Sequence, residues 1–393
     1  MNRFLFVVPP MAGHVNPTLP VGRDLAARGH EVAWAGPEEV VGELMPPDAT
    51  FLRVPLAPGV RDHIAARADD LRGAAALKHL VGEFLVPLAT CMVPGVEAAV
   101  ERFRPDVLVV DQQALAGVAV ALARGLPWAT SATTSALLAD PMELIPRVKE
   151  WADGLQREVL RSAGVDAARA ATVDLRFSPD LVLVLSTPAF VGGDGYPDHY
   201  AFVGPAIGGR PDTTPFPWDW LEHGDRHVLV SLGTLNWHNG GRFFAATAAA
   251  LGSMDARGII VAPPDLVPEA PANVLVRPRV PQLALLPRLD AVVCHGGHNT
   301  VCEALAHGLP LVVAPIRDDQ PAVAAQVEAA RAGVRVRFHR AGPDDLRAAM
   351  EAALGDLVLR AGADRIRRSF AAAGGPPEAA ARLEQLVPAV SRR

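Results

Sequence analysis

The chain has 393 residues, longer than one ordinary domain, which points to two domains of roughly 200 residues each. Hydrophobic residues make up 50% and charged residues 20%, so the chain can bury a sizeable core and does not read as disordered. A net charge of −6 without any basic block argues against a nucleic-acid surface, because a phosphate footprint needs clustered Lys and Arg.

The N-terminal run "MNRFLFVVPPMAGH" leads straight into a Gly-His turn and has no small-residue cleavage site, so it reads as a first strand and not a signal peptide. "RFLFVV" is followed by the amphipathic "PTLPVGRDLAARGH", then by "EVAWAG"; later "RPDVLVVDQ" leads into "ALAGVAVALARG". Strand, helix and strand in succession imply parallel pairing in a sheet covered on both faces. The most apolar long window, "ALAGVAVALARGLPWATSATTSALLA", is interrupted by Arg124 and Pro127, so no membrane span is expected there. A soluble, cytoplasmic protein is the expectation, with neither nucleic acid nor stable membrane insertion, as a monomer or homodimer.

Residues 207–217 fall in the Gly- and Pro-rich "VGPAIGGRPDTTPFPWDWLEHGD", which reads as a linker. A first domain over 1–206 and a second over 218–375 follow. In the second, "HVLVSLG", "GIIVA", "ANVLVRP", "AVVCHGG" and "PLVVAP" are strand candidates, most of them followed by helical patterns. The tail, 376–393, reads as a last helix that packs back across the domains. The two halves look like two copies of one α/β, doubly wound architecture. Ligands bind such sheets at the carboxyl ends of their strands, so one cleft shared by both halves is expected.

Cys91, Cys294 and Cys302 are odd in number and lack ligand spacing, so neither a disulfide framework nor a Cys-based metal site is expected. No GxGxxG follows the first strand, and neither a P-loop nor an HExxH pair occurs, which argues against a dinucleotide oxidoreductase and its like.

The densest chemistry lies in "HGGHNTVCEALAHGLPLVVAPIRDDQ", His295 to Gln320. After the strand "AVVC", "HGGHNT" makes a glycine-permitted turn into a helix expected to begin near Thr300, with Thr300 as N-cap and Glu303 completing a capping box. A helix N-terminus after such a turn is suited to an anion such as a diphosphate. A plain strand–turn–helix with incidental histidines is the competing reading.

These residues, with Pro281-Gln282, Glu303 eight positions after His295, "GLP" at Gly308–Pro310 and "DQ" at Asp319–Gln320, resemble the donor signature of family 1 glycosyltransferases. The resemblance implies a GT-B fold: two facing Rossmann-like domains, the first for the acceptor and the second for a nucleotide-sugar donor. It implies His295 as a diphosphate ligand, with Gly297, His298, Asn299 and Thr300 forming the phosphate turn. Glu303 would receive the ribose hydroxyls, in competition with its capping role, and the ribose reading is preferred. Asp319 and Gln320 would contact the transferred sugar; Ser231 and Thr234 of "SLGT" match the second phosphate loop. Beside Gln282, Val280 and Arg279 occupy the base-stacking segment, where Arg279 replaces the usual aromatic; a guanidinium can also stack. Val323-Ala324 stand where the family often has Asn-Ala.

"GHVNP" at residues 13–17 matches the turn that carries the family's catalytic base, which makes His14 that base and Asp111, ending "DVLVV", its partner. Imidazole suits the task because its basicity lies near neutrality. Apolar residues in "GEFLVPLATCMVPGVEAAV" and "ATTSALLADPMELIPRVKEWADGL" read mainly as helix core, and by the resemblance also as walls of a lipophilic acceptor pocket.

The expected activity is inverting, metal-independent transfer of a sugar to a hydroxyl of a small natural product. A UDP-glucose-like donor is favoured over a dTDP-deoxysugar, and no cofactor is needed. A nucleotide-sugar epimerase of the same fold and a non-catalytic partner protein are the alternatives.

Overall fold

Phe4 and Phe6 of the first strand are buried on one face of a sheet, and Leu5 and Val7 between them are buried on the other. The same alternation recurs in the fourth strand, where Val107 and Val109 oppose Leu108 and Val110. A strand buried on both faces needs helices above and below it, which is the condition that a parallel sheet meets.

The computed structural model describes residues 1–57, 60, 71, 73–138, 142–143, 145–208, 214–222, 224, 226–233, 238 and 240–387. It divides into two units: Met1–Leu185 with Gly195–Arg210 and Gly374–Arg393, and Ser186–Asp194 with Pro211–Ala373.

In the first unit, β1 (Arg3–Val7), β2 (Glu31–Pro37), β3 (Thr50–Val54), β4 (Val107–Asp111), β5 (Trp128–Ala132), β6 (Val182–Val184) and β7 (Tyr200–Phe202) form one parallel sheet. Its order is β3-β2-β1-β4-β5-β6-β7. The helices Thr18–Ala27 and Gly375–Glu384 pack on the face that holds Phe4 and Phe6. Helices Val86–Phe103 and Leu115–Arg124 cover the other face.

The second unit repeats the plan with six strands: β8 (His227–Ser231), β9 (Arg257–Val261), β10 (Val274–Arg277), β11 (Ala291–Cys294), β12 (Leu311–Val313) and β13 (Gly333–Arg335). Their order is β10-β9-β8-β11-β12-β13, again parallel throughout. Alternation in β11 sends Val292 and Cys294 into one core and Ala291 and Val293 into the other.

The units are not contiguous halves, which revises the boundaries read from sequence. Residues 186–194 belong to the second unit, because Phe190 inserts into its core against Phe370 and His298. The last helix belongs to the first unit: Ala379, Ala380 and Leu383 are buried there, and Glu384 meets His30 and Arg28 at 2.8 and 3.3 Å. Of the expected linker, residues 209–213 lie outside the described residues, as do 388–393 of the tail.

Among the described residues, one helical run, Ala74–Phe103, is long and apolar enough to cross a membrane by length and composition. This is a different stretch from the window noted in the sequence. Leu85, Leu88, Ala89, Met92, Val93, Val96 and Val100 of this run lie in the core of the first unit. Core packing therefore accounts for the apolar character of these side chains, while 39% of the run's most apolar 18-residue window is buried.

Candidate active site

The first sheet reverses its order between β1 and β4, the place where a doubly wound sheet opens a crevice at the carboxyl ends of its strands. Both strands run out onto candidate residues. Beyond β1 the short helix Ala12–Val15 carries His14, and β4 ends on Asp111, one step past the Val7–Val110 pair. His14 Nδ1 lies 2.9 and 3.0 Å from the two carboxylate oxygens. Asp111 has 0% of its side chain exposed, whereas 14% of the His14 side chain is accessible. Surrounded by acceptors, Nδ1 is assigned the proton, which puts the basic lone pair of the neutral ring on Nε2.

Each Asp111 oxygen has a second donor. The Gln113 amide N–H reaches Oδ1 at 2.8 Å, and the Thr133 hydroxyl reaches Oδ2 at 2.7 Å. Nothing in the composition of "TSATTSALL" singles out Thr133. It comes within reach because β5 pairs with β4 in the register Asp111↔Ser131.

The second sheet reverses between β8 and β11, and there Ser231 pairs with Cys294, the residue before His295. His295 is 8% exposed, and its Nδ1 finds no hydrogen-bond partner among the described residues. Burial pushes its pKa down to about 4, the Ser231 backbone opposes this, and the nearby Arg317 charge lowers it further. The ring is therefore neutral at pH 7 and can donate one hydrogen bond without carrying a charge. Glycines make room for it: a Cβ at Gly233 would lie 2.7 Å from its Cε1, and one at Gly297 2.6 Å from its Nε2.

The following helix spans His298–Ala306, with Gly297 as an extended N-cap that offers no side-chain bond. Its first helical bond runs from the Val301 N–H to the Gly297 carbonyl at 3.1 Å. This corrects the expected capping box. Because the glycine turn lets the helix start at His298, Thr300 is already inside it and Glu303 is not at the third position. The first-turn N–H groups lack intrahelical acceptors and form the positive end of the helix dipole.

Glu303 is 7% exposed and accepts a hydrogen bond from the Gln282 side-chain amide at 2.6 Å, tying the Pro281-Gln282 turn to this helix. The His298 side chain is taken up within the unit, its Nε2 lying 3.5 Å from Cys302 Sγ and its ring 6.4 Å from that of Phe190. Asn299 and Thr300 are partly exposed in the first turn. Burial raises the pKa of both buried thiols, that of Cys294 to about 12.

After β12 the chain turns through Asp318, which holds a left-handed φ of 55°, into the helix Gln320–Ala329. Gln320 Oε1 accepts the N–H groups of Ile316 and Arg317 at 2.8 and 3.1 Å, so half of its amide shapes this turn. The turn abuts the glycines after β11, for a Cβ on Gly296 would lie 3.2 Å from the Gln320 carbonyl oxygen. Asp319 stands at the N-cap position of that helix. Arg279 is exposed, while Val280 packs partly against the core. Thr234 lies outside the described residues.

Residues 245–386 match the family described as Erythromycin biosynthesis protein CIII-like, C-terminal domain. The chain is 31% identical to 4'-demethylrebeccamycin synthase of Lentzea aerocolonigenes, over 98% of its own length and 99% of that protein. It is also 31% identical to demethyllactenocin mycarosyltransferase of Streptomyces fradiae, over 98% of this chain and 87% of the relative. Among solved structures it is similar to the glycotransferase of kitacinnamycin, with 26% identity, 98% and 99% coverage and a TM-score of 0.78.

Proposed function

The chain belongs to the family 1 glycosyltransferases of the GT-B fold, and from that premise we propose an inverting transfer from a nucleotide-diphosphate sugar to a hydroxyl of a small lipophilic natural product. The observation that carries this reading is the His14–Asp111 pair at the switch point of the first sheet, with Nδ1 held 2.9 Å from the carboxylate.

In the proposed step the acceptor oxygen attacks the anomeric carbon while its proton passes to His14 Nε2. The bond from that carbon to the diphosphate oxygen breaks, and the electron pair leaves with the nucleoside diphosphate. Asp111 keeps Nδ1 protonated and stabilises the imidazolium that forms, the logic of a His–carboxylate dyad. His295 and the N–H groups at the start of helix His298–Ala306 receive the developing phosphate charge. Those donors take the place of a divalent ion, so no metal is required. Ser231 and Gly297 shape the phosphate loops, Glu303 takes the ribose hydroxyls, and Val280 with Arg279 borders the base.

Asp319 and the NH2 end of Gln320 are the groups offered to the transferred sugar. A UDP-glucose-like donor would use both, whereas a dTDP-deoxysugar would leave polar groups unmet, at a cost in affinity. The names of the two relatives, for rebeccamycin and lactenocin compounds, support a natural-product acceptor. Full-length identity to transferases favours transfer over the epimerase and non-catalytic alternatives.

Calorimetric titration with UDP, dTDP, UDP-glucose and a dTDP-deoxysugar in the presence of EDTA tests the donor half. Binding of one nucleotide in preference to the other without metal is expected. No binding to any of the four would overturn the reading, and donor turnover without acceptor would return it to an epimerase.

A further inference from the structure

Thr133 lies in no motif, yet its hydroxyl closes a triangle with the two residues of the dyad. Its Oγ1 stands 2.7 Å from Asp111 Oδ2 and 2.8 Å from His14 Nδ1, and the residue is 3% exposed. We infer that Thr133 is a positioning residue for the base, holding the His14 ring in one tautomer and one orientation through Asp111. The inference rests on the reading of His14 as the base.

The proton count allows one arrangement of these contacts. An ionised carboxylate has no hydrogen to give, so the Thr133 hydroxyl donates to Oδ2. Its oxygen then presents lone pairs to Nδ1, which must therefore be the donor. Nδ1–H thus faces three oxygens, at 2.8, 2.9 and 3.0 Å, and finds an acceptor however the ring tilts. A proton on Nδ1 leaves Nε2 basic; the opposite tautomer would place three acceptors against a lone pair. With Oδ2 engaged by Thr133 and Oδ1 by the Gln113 N–H, the carboxylate cannot rotate away from the ring.

The loop that carries Thr133 is itself pinned. The Gln112 N–H donates to the Ser131 carbonyl at 3.2 Å, and the Gln112 side-chain amide donates to the Thr134 carbonyl at 3.3 Å. The Thr133 N–H turns back to the Ser131 carbonyl at 3.2 Å. Thr133 is thus fixed from the β4 side by the residue next to Asp111. Such double support is what holds a proton-transfer group within a fraction of an ångström of its working position.

The test is steady-state kinetics on Thr133→Val and Thr133→Ser, alone and in a His14→Ala background. Thr133→Val should lower kcat by about 10- to 100-fold with donor and acceptor KM within about two-fold, and Thr133→Ser should recover most of kcat. In the His14→Ala background Thr133→Val should change kcat less than about two-fold, since there is no longer a ring to orient. Unchanged kcat in Thr133→Val would overturn the inference, as would a raised donor KM at constant kcat, which marks a sugar contact instead. Equal loss in the Ser and Val variants would trace the effect to packing of the methyl group, and also overturn it. Should the Val variant not fold, Thr133→Ala compared with Thr133→Ser isolates the hydroxyl. Full activity of His14→Ala alone would remove the base itself and the inference with it.

Discussion

Gln282 and Glu303, 21 residues apart in the chain, meet amide to carboxylate at 2.6 Å. The pair joins the turn after β10 to the helix after β11, so one oxygen of Glu303 is held in place and the carboxylate has a set direction. A Gln282→Leu change should weaken nucleoside-diphosphate binding by about ten-fold and cost about 1–2 kcal/mol of stability, because it removes a hydrogen bond to a nearly buried carboxylate. Calorimetry and denaturant unfolding read the two effects separately. Unchanged affinity would detach Glu303 from the ribose.

His14→Ala should reduce kcat by about two or more orders of magnitude, the usual worth of a positioned general base. Nucleotide affinity should stay within about two-fold, since the role proposed for His14 is to take the acceptor proton and not to hold the nucleotide. A variant with ordinary turnover on an alcohol acceptor would show that another group takes the proton.

His295 gives the protein an acid-sensitive term. Its folded-state pKa of about 4 lies below the ordinary imidazole value of about 6.5, so between these values the unfolded chain binds the proton more tightly. The stabilisation is complete above about pH 6.5 and is lost as pH falls toward 4; by pH 5 the loss is about 2 kcal/mol. Urea unfolding at pH 7.5 and 5, compared between the wild type and His295→Gln, should show a smaller loss in the variant. Equal losses would place the acid sensitivity elsewhere. The same variant should weaken diphosphate binding.

Gly297 has a backbone any residue can adopt, φ −61° and ψ 131°, so a substitution there acts through space and not through strain. A methyl group would meet His295 Nε2 at 2.6 Å. Gly297→Ala is therefore expected to push the imidazole aside and weaken nucleotide binding by about ten-fold or more, with a stability loss in the 1–3 kcal/mol range of an overpacked site. Wild-type affinity would show that the ring position is not needed for the ligand.

Leu383 of the last helix is 0% exposed in the core of the first unit. Leu383→Ala should cost about 2–5 kcal/mol, the range for buried leucines. Chemical unfolding of the full chain checks this, and a cost below 1 kcal/mol would mean that the helix is only loosely docked.

By itself the sequence determined what depends on neighbours a few positions apart. Short β-branched runs alternating with helical patterns specified two doubly wound parallel sheets, and His14, Asp111 and the His-Gly-Gly turn could be placed at strand ends. Tertiary structure decided everything that depends on which strand lies beside which. Glu303 accepts a hydrogen bond from Gln282 and does not complete a capping box, because the helix begins at His298 once Gly297 makes the turn. Residues 186–194 and 374–387 cross between units, because Phe190 and Leu383 are buried where a core has room for them. Thr133 joins a dyad whose own members are 97 residues apart, since parallel crossovers set loops from separate strands side by side at one sheet edge. Periodicity encodes which face of an element is buried; the hydrogen bonds between loops follow from strand order and register, which no local pattern of residues carries.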